Sequence, residues 1–225
     1  MDLDFETFVE AYWKYYLTME HRFLRTEEYV AFDEYNDKTY SIEYLSLLQI
    51  VCSEIDVAAK AIARHSNPVF SDNNAGIKKW GYEIQQKFPV LLTQKVLFRG
   101  SRILIPWGNW EITSAVNKNG QVYYKYAEGS ESPIWWNAYN KVKHARTSKD
   151  DNLINFHKAN QVNVMTSLAA LFSLNRLTMR DLNESGYTDV EKSSIFVMHG
   201  WNDEIEENLY FDAEGRAFMH IKQPW

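Results

Sequence analysis

Three features of this 225-residue chain predict a mainly α-helical protein. Breakers are scarce: 9 Gly and 5 Pro are about half the usual share of roughly 12%. Apolar residues recur at steps of three and four over long stretches, the period of a helix that buries one face. Segments rich in β-branched and aromatic residues fall in two places, an insertion at 90–131 and a tail at 193–225. The expectation is a single domain over 1–225: an up-and-down bundle of four or five helices with a β-hairpin insertion and a β-containing C-terminal tail.

The elements follow from local pattern. Phe5, Phe8, Tyr12, Tyr15, Met19 and Phe23 line one face of a helix from about Asp4 to about Phe32. Asn36-Asp37-Lys38 breaks it. Ser41 is the predicted N-cap of a second helix, with Leu45, Leu48, Cys52, Ile55, Ala59 and Ile62 on its apolar face. Pro68 ends that helix, because the residue before a proline is pushed out of helical conformation. A shorter helix spans Ile77 to about Phe88, stopped by Pro89. Asn117-Lys118-Asn119-Gly120 between Val116 and Val122 signals a hairpin. Pro133, with Ser132 as N-cap, starts a helix to about Arg146. Thr147 to Asn152 reads as a polar turn, and a long helix runs from Leu153 to about Leu182, apolar on several faces and so deeply buried. Ser185 to Glu191 is a loop. Strands are predicted at 195–198, 209–211 and 217–221, the last two joined by a turn at Asp212-Ala-Glu-Gly215.

Composition narrows the function. The longest nearly apolar run, Ser167 to Leu174, is far short of the ~20 residues that span a bilayer, so no membrane partner is expected. The acidic start Met1-Asp-Leu-Asp-Phe-Glu-Thr lacks the features of an export signal, and a cytoplasmic protein is expected. Cys52 is the single cysteine, which excludes an internal disulfide or a cysteine-based zinc site. The histidines show no H-x-x-x-H pair, so no metal and no cofactor is expected. The formal charge of −6 argues against a general polyanion coat and leaves room for a local basic patch.

The most informative segment is Pro133-Ile-Trp-Trp-Asn-Ala-Tyr-Asn-Lys-Val-Lys-His-Ala-Arg146. On a helix Asn137, Asn140, Lys141, His144 and Ser148 share a polar stripe, and Trp135, Ala138, Tyr139 and Val142 share the apolar one. A histidine exchanges protons near neutral pH, and Lys141, Lys143 and Arg146 would attract a phosphate. An ordinary amphipathic helix with a basic last turn fits the same spacing, because cations complement the helix dipole there.

A late helix carrying Asn140-Lys-Val-Lys-His144, a polar residue, three variable residues and His, resembles the motif helix of the HEPN superfamily. The second helix, with Ser53-Glu54-Ile-Asp56-Val-Ala-Ala-Lys60, is similar to the acidic helix that HEPN domains set beside it. The resemblance covers about Asp4 to Leu182. It implies a helical bundle, commonly a homodimer, and often a metal-independent endoribonuclease of a bacterial toxin–antitoxin or phage-defence system, with RNA and an antitoxin as partners. It would make His144 the acid/base for attack of a ribose 2′-hydroxyl, Asn140 its positioning partner and Glu54 a carboxylate that orients it. Where the family carries Arg this chain has Tyr139, which supplies no fixed positive charge. The alternative implied is a HEPN-fold interaction or scaffold protein without catalysis.

Two other groups keep double readings. Asp56, like Glu54, could orient His144, and with Lys60 it forms an ordinary i,i+4 pair, the favoured reading. Trp107, Trp110, Tyr123, Tyr124 and Tyr126, with Arg99, Arg102, Lys118 and Lys125, suit stacking on single-stranded nucleic acid and equally suit the packing face of a small sheet or a subunit interface. The aromatics cluster: twelve lie in 1–44, none in 45–69 and only Phe156, Phe172 and Tyr187 in 140–195. They form a shell around an aliphatic helical centre.

Overall fold

Asp4 accepts a 2.8 Å hydrogen bond from the Thr7 amide and opens the first helix. In a computed structural model, whose described residues are 3–150, 152–183, 190–201, 206–211 and 217–222, that helix has three parts. These are α1 (Phe5–Phe8), a π-helical segment (Val9–Trp13) and α2 (Lys14–Leu24). The π segment widens one turn and slips the buried face by one residue. Phe8 is therefore followed inward by Trp13, Tyr16 and Met19, while Tyr15, predicted on that face, is 44% exposed. The helix stops at Leu24 instead of continuing to about Phe32. A 3₁₀ turn, Arg25–Glu28, follows, and Thr26 closes it: its hydroxyl donates to the Phe23 carbonyl at 2.7 Å, and its own carbonyl takes the amides of Tyr29 and Val30.

α3 (Ile42–Ser66) begins as predicted at Ser41, whose hydroxyl accepts from the Tyr44 amide at 3.0 Å. α4 (Ile77–Lys87) ends one residue short of Phe88, ahead of Pro89. β1 (Val96–Phe98) and β2 (Arg102–Leu104) pair antiparallel, as do β3 (Ile112–Val116) and β4 (Val122–Tyr126). The β3–β4 turn is the predicted one, with Val116 opposite Val122 and Gly120 in the left-handed region at φ +76°. α5 (Ile134–Ala145) starts one residue later than expected, with Pro133 in the cap position and no side-chain cap from Ser132.

The long helix is shorter at its front than its pattern suggested. β5 (Lys149–Asp150) pairs antiparallel with β6 (Leu153–Ile154), and Asn155–Lys158 is a 3₁₀ turn. α6 (Gln161–Leu182) begins only after Asn160, whose side chain accepts from the Asn163 amide at 3.1 Å. A nearby N-cap outcompetes helical pairing for the Asn-rich lead-in. β7 (Phe196–Met198) adds to the free edge of β1, so the tail closes a three-stranded sheet, β2-β1-β7, with the insertion. β8 (Glu206–Phe211) pairs with β9 (Ala217–Lys222). The turn read at Asp212–Gly215, and the loop at 185–191 up to residue 189, lie outside the described residues.

α6 is buried over almost its whole length and forms the centre, with α2, α3 and α5 around it. The Gln161 amide donates to the Tyr44 hydroxyl at 3.1 Å, and Ser167 bonds Cys52. The two long helices therefore run parallel; alternation of direction holds for the first helix against α3 and not for α3 against α6. Beside α4, Trp80, Trp107, Trp110, Trp135 and Trp136 form one continuous ring cluster, Trp107 crossing Trp135 at 90°. Gly81 makes room for it: a Cβ there would meet the Trp110 ring at 2.5 Å. Thus Trp107 and Trp110 are core residues, with no exposed surface. Among the described residues no helix is long and apolar enough to cross a membrane.

Candidate functional site

The last turn of α5 carries the sequence's leading candidates, and the fold presents them at one rim. Trp135, Trp136, Ala138, Tyr139 and Val142 are buried against the core. That leaves Lys141, Lys143 and His144 exposed on the helix and Arg146 exposed just past its end, with Asn140 half-buried. The helix end is held from outside: the Asn155 side chain donates to the Ala145 carbonyl at 2.8 Å, and the Phe156 amide donates to the Arg146 carbonyl at 3.0 Å. These bonds satisfy carbonyls that a helix terminus leaves unpaired, and they bring Lys149 and Lys158 to the same region.

The charges are not equivalent. Lys141 pairs with Asp150, which also takes Lys158 at 3.0 Å. Those hydrogen bonds, Lys141's first, hold the Asp150 carboxyl below the ordinary aspartate range. Lys143 lies over the Tyr139 ring, 5.2 Å from its centre. The Arg146 Nε leans back on the Val142 carbonyl at 3.4 Å. Among the described residues His144 and Asn140 make no side-chain hydrogen bond and no ion pair. The rim therefore offers an imidazole without a side-chain partner among the described residues beside exposed cationic heads, and Lys141 reaches a ligand only by leaving Asp150.

Glu54 stands elsewhere. Its electrostatic neighbour is Tyr12 on the first helix, whereas Asp56 accepts from the Trp80 indole at 2.9 Å and pairs with Lys60 on the α4 side of α3. At 100° per residue these two carboxylates diverge by about 200°. The α5 rings meet Trp80, so α5 packs on the Asp56 flank and Glu54 on the opposite one. The structure keeps Asn140, Lys141 and His144 on one stripe of α5, sets Lys143 over Tyr139 and Arg146 about 200° round the same helix end from His144, and does not bring Glu54 to them. Burial raises the Glu54 carboxyl above its ordinary range, and burial, followed by Glu54, raises the Tyr12 hydroxyl.

One polar centre has no counterpart in the sequence reading. Glu20 has no exposed surface. Its carboxylate takes the Tyr16 hydroxyl, the Ser193 hydroxyl at 2.5 Å, and the Ser194 amide and hydroxyl at 2.7 and 2.8 Å. Burial and the adjacent Glu20 push the Tyr16 hydroxyl well up. The Trp13 indole adds a 2.7 Å bond to the Glu191 carbonyl. This centre ties residues 190–201 to the first helix. The available signal was spacing: Trp13, Tyr16, Glu20 and Phe23 step by 3, 4 and 3, putting a carboxylate in an aromatic row.

Among the described residues no group of three or more His, Cys, Asp or Glu is placed to hold a metal ion. Burial raises the Cys52 thiol well above its ordinary range, which makes it an inert core residue. No protein-family model, curated protein or solved structure matches this chain.

Proposed function

We propose that this chain is a HEPN-like, RNA-contacting protein that binds phosphates along the rim at the end of α5. One observation carries the reading: exposed Lys143, His144, Arg146 and Lys149 share that rim, in a stretch with five Lys or Arg and two Asp between Lys141 and Lys158 of an otherwise acidic chain. Contacts of this kind position a nucleic-acid backbone without reading its bases. A bacterial defence or toxin-type setting, with an antitoxin as protein partner, goes with the same resemblance.

Binding is favoured over cleavage by the surroundings of the motif. Tyr139, where the family has Arg, is buried and 7% exposed, so it neutralises no developing phosphorane charge. Glu54 faces Tyr12, and among the described residues of one chain no carboxylate bonds His144. Cleavage is the second reading, and the unbonded His144 imidazole favours it; a second copy of the chain across a homodimer would then supply the missing cation. A scaffold role without RNA is the outcome if no RNA binds. The test is a titration of a fluorescent oligoribonucleotide in EDTA, with product analysis on a gel. Binding without cutting, lost on combined Lys143→Gln, Arg146→Gln and Lys149→Gln, supports the main reading. Cutting that His144→Ala abolishes supports the second. No binding at low salt overturns both.

A further inference from the structure

A second site lies away from the α5 rim, where the first helix ends and α3 begins. A cavity of about 540 Å³ there is lined by Arg22, Arg25, Thr26, Tyr29, Val30, Ser41, Glu43 and Tyr44. We propose that it binds a small aromatic monoanion, a carboxylate or sulfonate attached to a flat apolar ring.

Charge sets the anion count. Arg22 is already spent: its guanidinium forks onto Glu43 at 2.5 and 3.0 Å and reaches the Ser46 hydroxyl at 2.9 Å. The pair is neutral inside the cavity. Arg25 is exposed, and among the described residues it makes no ion pair and no hydrogen bond. The cavity thus carries one uncompensated positive charge, with the fork geometry that suits a carboxylate or sulfonate. Among the described residues that line the cavity, a dianion finds no second available cation.

The walls set the body of the ligand. Tyr44 is buried and forms the floor, held in place by the Gln161 amide at 3.1 Å. Val30 flanks it. Tyr29 leaves 85% of its surface in solvent at the rim, a large ring with nothing packed on it. A flat ring laid against Tyr29 covers it by offset or edge contacts, with the buried Tyr44 closing the cavity behind it. The volume falls in the ordinary range for small-molecule sites, and mostly apolar walls with a few convergent polar groups are their usual make-up.

The test uses anilinonaphthalene sulfonate as a fluorescent monoanion and benzoate as competitor, on the intact chain. Expected is saturable one-site enhancement that benzoate displaces. Arg25→Gln weakens binding about tenfold, the factor that losing ~1.4 kcal/mol produces. Arg25→Lys retains part of the affinity, because it keeps the charge without the fork. Tyr29→Ala weakens binding, and Lys118→Gln on the β3–β4 turn leaves it unchanged. All four variants alter exposed side chains, and their melting temperatures report that the fold is intact. Non-saturable enhancement in the wild type, or an affinity that Arg25→Gln leaves unmoved, overturns the proposal.

Discussion

Tyr16 donates its hydroxyl to Glu20 one turn further along α2, at a carboxylate with no exposed surface. The same carboxylate takes three more hydrogen bonds from Ser193 and Ser194. A buried charge is tolerated only when its lone pairs are satisfied, so helix and tail depend on each other here. Glu20→Ala strands the hydroxyl of Tyr16 and the donors of both serines. It is expected to cost about 2–3 kcal/mol in urea unfolding and to speed amide exchange in β7 more than in α3. Loss of stability without faster β7 exchange would contradict the latch.

Gly81 sits within α4, where alanine is normally better by about 1 kcal/mol. The Trp110 ring and the Ile112 side chain occupy the space of its missing Cβ. Gly81→Ala is therefore expected to overpack the tryptophan cluster, a cost of about 1–3 kcal/mol that exceeds the propensity gain. A lower melting temperature and altered near-ultraviolet dichroism are predicted. A stabilised variant would show that the cluster has slack.

Glu54 and Asp150 predict opposite pH behaviour. Glu54 is raised by burial, so the folded state holds its proton more tightly than the unfolded chain. That contribution is fully present below the unfolded value and is lost as pH rises through the folded one. Glu54→Gln is expected to stabilise the protein near neutrality by about 0.5 kcal/mol, a small figure because the side chain is partly solvated. The gain should vanish in acid.

Asp150 is lowered by Lys141 and Lys158. Its contribution is present above the unfolded value and is lost as pH falls through the folded one. A side-chain carboxyl titration by NMR should place its midpoint below ordinary aspartates. Asp150→Asn releases Lys141 and Lys158, and under the proposed function it should tighten RNA binding and steepen its salt dependence. Weaker binding would mean that the ion pairs are needed to shape the rim.

Much of this fold was legible because it rests on local chemistry. Ser41 capping α3, Pro89 behind α4 and the Asn-Gly hairpin each act within a few residues. The misjudged boundaries arise where local signals compete or periodicity changes. The π segment added one residue to a turn, so a face read by constant spacing chose Tyr12 and Tyr15 over Trp13 and Tyr16. Asn160 capped α6 eight residues later than the apolar run suggested. The candidate site divides the same way. Asn140, Lys141 and His144 were readable as one stripe of one helix, whereas the direction of Glu54 depends on which helices flank α3. Glu20 was hidden because its partners lie about 170 residues away.

The central claim is that Lys143, His144, Arg146 and Lys149 contact RNA phosphates. Its most direct test is the affinity for a single-stranded oligoribonucleotide across a salt series. Three cationic contacts predict a slope of log affinity against log salt of about −2. In the Lys143→Gln, Arg146→Gln, Lys149→Gln variant, the slope should fall toward zero together with the affinity. A wild-type affinity that ignores salt, or a triple variant that binds with the wild-type slope, would contradict the account.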